Sequence, residues 1–512
     1  MNKKIIAYDL GTGGNKASLY DSDGLALHST FVAYNTFYPQ SGWHEQRPND
    51  WWNSIVESTR ELINKAKVDA NDIECLAISG HSLGVVPVDK SGNLLREFTP
   101  IWSDARATDQ TRKFFENVDP KQWYLTTGNG FPPELYSLFK IMWYRDNEPD
   151  LFKKIYKVIG TKDYINAKMT GRLMTDHSYA SGCGCYDLRA WNYASKYIDA
   201  SGIDGMLLPD VVASTEIVDE LTDAAARELG LPRKVKVVCG GVDNSCMALG
   251  ARNIAEGRVY TSLGSSSWIA VSSSSPVLDF STKPFVFAHV IPNMFTSAVS
   301  IFSAGSSLQW VRNHLCKNLV AEAAQTGRNV YDLMTELAAQ SPVGSRKLLF
   351  NPSLAGGSSQ EKSPQIRGSF SGLDLGHTQA DVIRSTMEGI ALNLGSVLEV
   401  LKKFCPLSNE MTMVGGGSRS QLWRQIFADV YQMDIVKTSI GEEAGSLGAA
   451  AVAAVGAGIW PDFSKIDVLQ KVENISRPVP ANAAAYRQLR PAFECLRQTQ
   501  ADLSEMLHEL QL

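Results

Sequence analysis

The first residues whose types and spacing could do chemistry are Asp9, Thr12 and Lys16, set among Gly11, Gly13 and Gly14 in IIAYDLGTGGNKASLYDSDG, residues 5–24. Glycine lets the backbone turn sharply and bring its N–H groups close to an anion. A carboxylate at the rim of such a loop would repel a polyphosphate unless a cation lay between them, and Mg²⁺ binds through one or two carboxylates plus phosphate oxygens. Two common phosphate loops are excluded by spacing. No G-x4-G-K-[ST] occurs here, and the last glycine of a G-x-G-x-x-G counted from Gly11 is replaced by Lys16, with a strand-like run behind it instead of a helix. Taken alone, the stretch also reads as an ordinary β-hairpin.

The elements that would position these residues are strands. Ile5–Tyr8 and Lys16–Tyr20 are apolar-rich runs flanking the loop, and Asp23-Gly24 is a tight-turn signal before a third strand. The pattern occurs twice. SLGSSSWIAV, 262–271, aligns with DLGTGGNKAS, 9–18: Leu263 falls on Leu10, Gly264 on Gly11, Ser265 on Thr12 and Ala270 on Ala17. A separation of about 250 residues, half the chain, points to duplication of a fold module. Asp9 has become Ser262 in the second copy, so one loop keeps a carboxylate and the other is a plain phosphate cradle.

Two further stretches, VKVVCGGVDNSCMALGA (235–251) and MTMVGGGSRSQLWRQIFADV (411–430), each run from a strand through glycines into a helix, and we read them as a second repeated corner. Two such halves facing each other would form a cleft, where ligand sites favour forming. Asp243 follows two glycines at a helix start, where an ionised carboxylate is favoured. Asp and Asn are also ordinary helix caps. Phosphoryl transfer to an alcohol, however, needs a carboxylate to receive the hydroxyl proton. SGHSLG, 79–84, places His81 and Ser82 in a turn after a strand, and IWSDARA, 101–107, offers Trp102, Asp104 and Arg106. Both could form an acceptor pocket; the bland readings are a turn histidine and a core aromatic.

With 512 residues the chain should hold about two or three domains. Hydrophobic content of 44% and charged content of 20% describe an ordinary globular composition, and the net charge of −5 argues against a general nucleic-acid or anionic-membrane binder. The apolar run before Asp9 is too short for a signal peptide. Ala444–Trp460 is uncharged but too short to span a bilayer, so it reads as a close-packed buried helix. The eight cysteines include no C-x-x-C pair; Cys183-Gly184-Cys185 is the one close pair. Reduced thiols in a cytoplasmic protein are the expectation, with a metal at that pair as the lesser reading.

These residues resemble the FGGY carbohydrate kinases nearly throughout. DLGTGGNKA is similar to their first phosphate motif, SGWHEQRPNDWW (41–52) to an early family stretch, and GGVDNS to the segment carrying their base. RGSFSGLDLGHTQADVIRSTMEGIA (367–391) is the most specific match, and GGGSRSQLWRQIFADV (415–430) resembles their adenosine-binding segment. EEAGSLGAAAVAAVGAG (442–458) resembles the helix that closes the domain.

The resemblance implies two α/β domains of ribonuclease-H-like, actin/hexokinase ATPase type, expected at 1–252 and 253–512 with an interdomain cleft. It implies ATP and Mg²⁺ as cofactors and phosphorylation of a sugar or polyol, with Asp243 as base and Asp9 on the metal side. Thr12, Gly13, Lys16, Gly264, Ser265, Gly305, Gly416, Gly417 and Ser420 would contact the nucleotide, and His81, Ser82, Trp102, Asp104 and Asn244 the acceptor. A homodimer is compatible with the family.

Among subfamilies TPIWSDARA and FNPSLAGG look most like xylulokinases. Where those usually read G-Q-M-H-G, this chain has Gly80-His81-Ser82-Leu83-Gly84. The acceptor is therefore a ketose such as xylulose, or another ketose, polyol or linear diol. A catalytically idle nucleotide-dependent sugar sensor and an acceptor-independent ATPase are the alternatives of different class.

Overall fold

The computed structural model describes residues 3–510 apart from Ser359 and Glu442, the latter being the first residue of the closing-helix segment. The N-terminal loop is a hairpin, with β1 Lys4–Leu10 antiparallel to β2 Gly14–Asp21 and β2 antiparallel to β3 Ala26–Ala33. Asp9 lies inside β1, one residue before its end. Strand β4, Ile73–Gly80, pairs with β1 in parallel, and β5 Ile217–Glu220, β6 Lys236–Val238 and the short β7 Gly241–Val242 complete a seven-stranded sheet. Its order is β5-β6-β4-β1-β2-β3, with β7 also on β4.

The second sheet repeats this plan. It contains β8 Val259–Leu263, β9 Ser267–Ser273, β10 Phe285–Ala288, β11 Phe295–Ile301, β12 Glu410–Val414, β13 Asp434–Thr438 and β14 Val472–Ser476. Their order is β10-β11-β9-β8-β12-β13-β14. In each sheet a hairpin's first strand takes a parallel neighbour, that neighbour takes another parallel strand, and an antiparallel strand closes the edge. Asp9 in β1 and Ser262 in β8 occupy the same place, opposite Ser79 of β4 and Val414 of β12 respectively.

Strand pairing corrects the second repeat read from sequence. The counterpart of β12 is β4, since both lie parallel to a hairpin's first strand, and the counterpart of β6 is β13. The stretch at 235–251 thus does not match 411–430. Strand–glycine–helix corners recur in α/β folds, so only hydrogen-bonded neighbours distinguish one from another.

By contact the chain forms two compact units. One comprises 1–255, 272–297 and 443–470, and the other 256–271, 298–442 and 471–512. The sequence expectation was a single cut at 252/253. Residues 272–297 and 443–470 return to the first unit, which a linear division has no means to foresee.

The first unit's sheet is covered by α1, Pro48–Ala66, whose buried face carries Trp51, Trp52, Ile55 and Leu62, and which packs on β2 and β3. Helix α2, Asp243–Gly250, and a later helix rich in alanine cover it further. That later helix, Ala444–Gly456, packs on β1, β4 and α2, and is buried over nearly its whole length, as its Ala/Gly/Val composition leads one to expect. No helix among the described residues is long and apolar enough to cross a membrane.

Small residues set the helix spacing. A Cβ on Gly250 would lie 1.8 Å from the Ala444 carbonyl oxygen, and one on Gly448 would lie 1.9 Å from that of Cys246. Neither backbone can yield without unseating the sheet contacts beneath. Gly250→Ala should therefore cost about 2–3 kcal/mol of stability, measured by denaturant unfolding.

Candidate active site

In the first unit the site is built on the ends of β1 and β4 and the start of α2. β1 carries Asp9 to the sheet edge, where Ser79 of the adjacent strand donates to its Oδ1 at 2.8 Å. The first turn of the Ala444–Gly456 helix comes in beside it, so closely that a Cβ on Gly445 would lie 2.7 Å from Asp9 Oδ2. Burial raises the Asp9 carboxyl above its ordinary range, against the Ser79 bond and the Lys16 ammonium, which both lower it.

Asp243 is the first residue of α2 and is half-buried. Its Oδ1 accepts from the Asn244 backbone N–H at 2.8 Å and from Asn244 Nδ2 at 3.0 Å. Burial pushes its carboxyl up to about 7; the Asn244 bonds oppose the rise and the Asp9 charge adds to it. A carboxylate with this proton affinity suits a general base, which works best with a pKa near the operating pH.

The first hairpin loop is closed by one bond of its own and tied down by Tyr34, Gln46 and Trp102 from outside its motif. Gly11 N–H donates to Gly14 O at 3.0 Å, Tyr34 Oη donates to Gly11 O, and Gln46 Nε2 donates to Thr12 O at 2.7 Å. Trp102 Nε1 donates to Thr12 Oγ1 at 2.9 Å, which brings an acceptor candidate against a phosphate-loop candidate. Trp102 keeps 38% of its surface exposed. Gly13 is exposed at the loop tip, and Lys16 forms a 3.0 Å ion pair with Glu443 at the cap of the Ala444–Gly456 helix.

The remaining acceptor candidates face inward. His81 is 1% exposed, its ring stands edge-on to Trp51 at 5.5 Å, and neither ring nitrogen makes a hydrogen bond of ordinary geometry. Burial, aided by the Lys140 ammonium, lowers its pKa to about 3, so it is neutral. Ser82 is also buried. Asp104 is fully buried and saturated: Arg106 donates to its two oxygens at 2.8 Å each, and His44 N–H donates to Oδ2 at 2.6 Å. Cys183 and Cys185 have sulfurs 3.5 Å apart, and among the described residues no cluster of three or more His, Cys, Asp or Glu could hold a metal.

In the second unit a cavity of about 450 Å³ opens beside the second hairpin. Helix α3, Gly305–Leu315, begins at this loop: Gly305 N–H donates to Gly264 O at 2.9 Å, and Ala304 N–H to Ser265 O at 2.9 Å. Gly264, Ser265 and Gly305 line the cavity together with Gly416, Gly417 and Ser420. The six nucleotide candidates of this half thus converge on one space. Ser420 also caps α6, Gln421–Tyr431, which follows α4, Val330–Ala338, and α5, Gln379–Phe404, in the wall; its Oγ accepts from Trp423 N–H at 3.2 Å. Tyr331, Met334, Thr335, Met387 and Trp423 are among the other lining residues, and none of them was given a nucleotide role from sequence. Met387 lies in the most specific family stretch, which was its available signal.

Models of the N-terminal and C-terminal domains of the FGGY family of carbohydrate kinases match residues 4–250 and 259–457. The chain belongs to that family. A xylulose kinase from Bacillus subtilis (strain 168) is 30% identical over 456 residues, covering 89% of each chain. Two solved structures from Lactobacillus acidophilus, a gluconate kinase and a ligand-bound xylulose kinase, each superpose with a TM-score of 0.89 at 25% identity. Each spans 98% of this chain, with 99% and 98% of their own chains covered. As an FGGY carbohydrate kinase the protein is a phosphotransferase with the two-domain α/β fold of that family, and the resemblance seen in sequence holds.

The raised Asp243 carboxyl has a stability consequence. Between pH 4 and about 7 the folded protein keeps a proton that the unfolded chain has released, so this group destabilises the fold increasingly as pH rises through that window. Asp243→Asn should raise Tm by about 2–4 °C at pH 8 and leave it unchanged near pH 4 in thermal scans.

Proposed function

We propose that the protein transfers the γ-phosphate of MgATP to a hydroxyl of a ketose such as xylulose, in the cytoplasm. The observation that carries this reading is Asp243: a half-buried carboxylate at a helix start, with a pKa raised to about 7. In this role Asp243 takes the proton of the acceptor hydroxyl as the oxygen attacks phosphorus. Asn244, through its two bonds to Oδ1, holds the carboxylate orientation.

The residues fit the cofactors. Asp9 and Asp243 both have raised proton affinity, which a nearby divalent cation would offset. Asp9 is the carboxylate offered to Mg²⁺, which when bound neutralises charge on the phosphates. The cavity beside the second hairpin suits a nucleoside: Met387 and Trp423 offer apolar surface, and Gly264, Gly416 and Gly417 allow the backbone to approach ribose and phosphate. Thr12 and Lys16 would serve the phosphates from the other loop, with Lys16 exchanging Glu443 for a phosphate oxygen.

A second acceptor class is favoured by the turn at Gly80–Gly84. The Met-His of xylulokinases is Ser82-Leu83 here, both are buried, and His81 is packed against Trp51. The turn therefore offers the acceptor less polar side-chain surface, and another ketose, a polyol or a linear diol competes with xylulose for the assignment. Trp102 and Asn244 keep accessible surface and remain candidates for the acceptor.

The deciding experiment is coupled ADP release with MgATP across ketoses, gluconate, polyols and linear diols, with a no-acceptor control. One strong acceptor names the substrate; release without acceptor indicates an ATPase; silence with ATP bound indicates a sensor. Asp243→Ala should lower kcat by about 10²–10⁴-fold with the KM for ATP within about twofold. In the native enzyme kcat/KM should fall tenfold per pH unit below about 7. Equal rates at pH 5.5 and 8 would sink the base assignment. A Cβ on Gly305 would lie 2.4 Å from Gly264 O, so Gly305→Ala must displace the second hairpin loop. It should raise the KM for ATP by about tenfold and leave the acceptor KM unchanged, read in the same assay.

A further inference from the structure

Among the described residues the Asp243 side chain bonds only to its neighbour Asn244, so its position is inherited from the backbone that leads into it. Every step of that backbone is anchored. Cys239 N–H donates to Glu216 O at 2.9 Å, and Cys239 O accepts from Asn166 Nδ2 at 2.8 Å and from Lys162 Nζ at 3.4 Å. Gly240 N–H donates to Ser214 O at 3.0 Å, and β7 lies against β4 with Gly241 opposite Ser79. The last anchor before Asp243 is a side chain: Val242 N–H donates to Ser178 Oγ at 2.9 Å.

That hydroxyl is itself fixed by a buried charge cluster. Ser178 Oγ donates to Asp176 Oδ2, which also accepts from Ser178 N–H at 2.9 Å and from Ser214 Oγ at 2.7 Å. Asp176 Oδ1 pairs with Lys162 Nζ at 3.0 Å, and the same ammonium pairs with Asp163 Oδ1 at 2.6 Å. Lys162, Asp163, Asp176 and Ser178 are all fully buried. A hydroxyl whose proton is committed to a carboxylate has its lone pairs fixed in direction, so it can hold one N–H in one place. Burying three charges is costly, and an apolar cluster of the same volume would often stabilise a fold at least as well. The cluster earns a functional explanation from where it points.

We infer that Ser178, locked by the Asp176–Lys162 pair, is a positioning residue that sets Asp243 for proton abstraction through the Val242 amide. The inference rests on Asp243 being the base. Ser214 provides the control, because it donates to the same Asp176 oxygen but its hydroxyl makes no bond to the backbone leading to Asp243. Ser178→Ala and Ser214→Ala each remove one buried hydroxyl from one carboxylate and should both lower Tm, Ser178→Ala the more because it also strands the Val242 N–H.

Only Ser178→Ala should change catalysis. With MgATP and the strongest acceptor of the panel, its kcat should fall about 10–100-fold while both KM values stay within about twofold. Ser214→Ala should keep kcat within about twofold. Independently of turnover, amide exchange at Val242 should accelerate at least about tenfold in Ser178→Ala and not in Ser214→Ala. Equal kcat in the two variants, a loss expressed in KM, or unchanged Val242 exchange would overturn the inference. Asp243→Asn separates the two ideas. If it retains turnover the base assignment fails, whereas if it is silent and Ser178→Ala turns over normally, only the positioning role fails.

Discussion

Strand β1 lies between an antiparallel partner and a parallel one, and its register against both is the constraint on which the rest of the site depends. Asp9 stands opposite Lys16 of β2 on one side and Ser79 of β4 on the other. A slip of one residue would turn Asp9 toward the opposite face of the sheet and place a neighbour, Tyr8 or Leu10, in its position. Ile6, Tyr8 and Leu10 fill the core on one face, with Ile5 and Ala7 buried on the other, so that slip would drive Asp9 into the apolar core. A hydrophobic stripe that touches no ligand thereby decides where a carboxylate can meet one.

The two sheets share one plan but have divided the labour. The first keeps two acidic groups, Asp9 and Asp243, that burial makes harder to ionise than a free carboxyl, the Asp9 charge adding to the rise at Asp243, and it accepts the cost in stability. The second puts Ser262 where Asp9 stands, and its cavity is walled by glycine backbone and apolar side chains together with Asp332 and Arg419. The same hairpin carries a carboxylate in one copy and a hydroxyl in the other through one change of side-chain type.

Buried ions recur as anchors of loops. Lys140, fully buried and with its pKa lowered to about 7 by burial, donates to Leu83 O at 3.1 Å and to Ile101 O at 2.6 Å. It thus pins the two turns that carry the acceptor candidates, including Leu83 with its left-handed φ of 60°. Arg106 does the same for Asp104, whose carboxylate reads from sequence as a sugar ligand and in the fold is occupied by a guanidinium. A polar residue in a loop offers itself to a ligand only if no buried partner claims it first.

Much was legible in the residues themselves. The hairpins around Gly11 and Gly264, the buried Ala444–Gly456 helix, the helix start at Asp243 and the family all follow from local pattern, because turn chemistry, strand alternation and small-residue packing are properties of neighbouring residues. What required the tertiary structure were the pairings that join distant segments. β4, and not the 235–251 stretch, is the counterpart of β12. Residues 443–470 return to the first unit and place Gly445 against Asp9. His81 and Asp104 face the core, and Ser178 reaches the Val242 amide across 64 residues of chain. Hydrogen bonds and burial between such segments depend on which surfaces the folded chain brings together, and no local pattern in a single sequence records that.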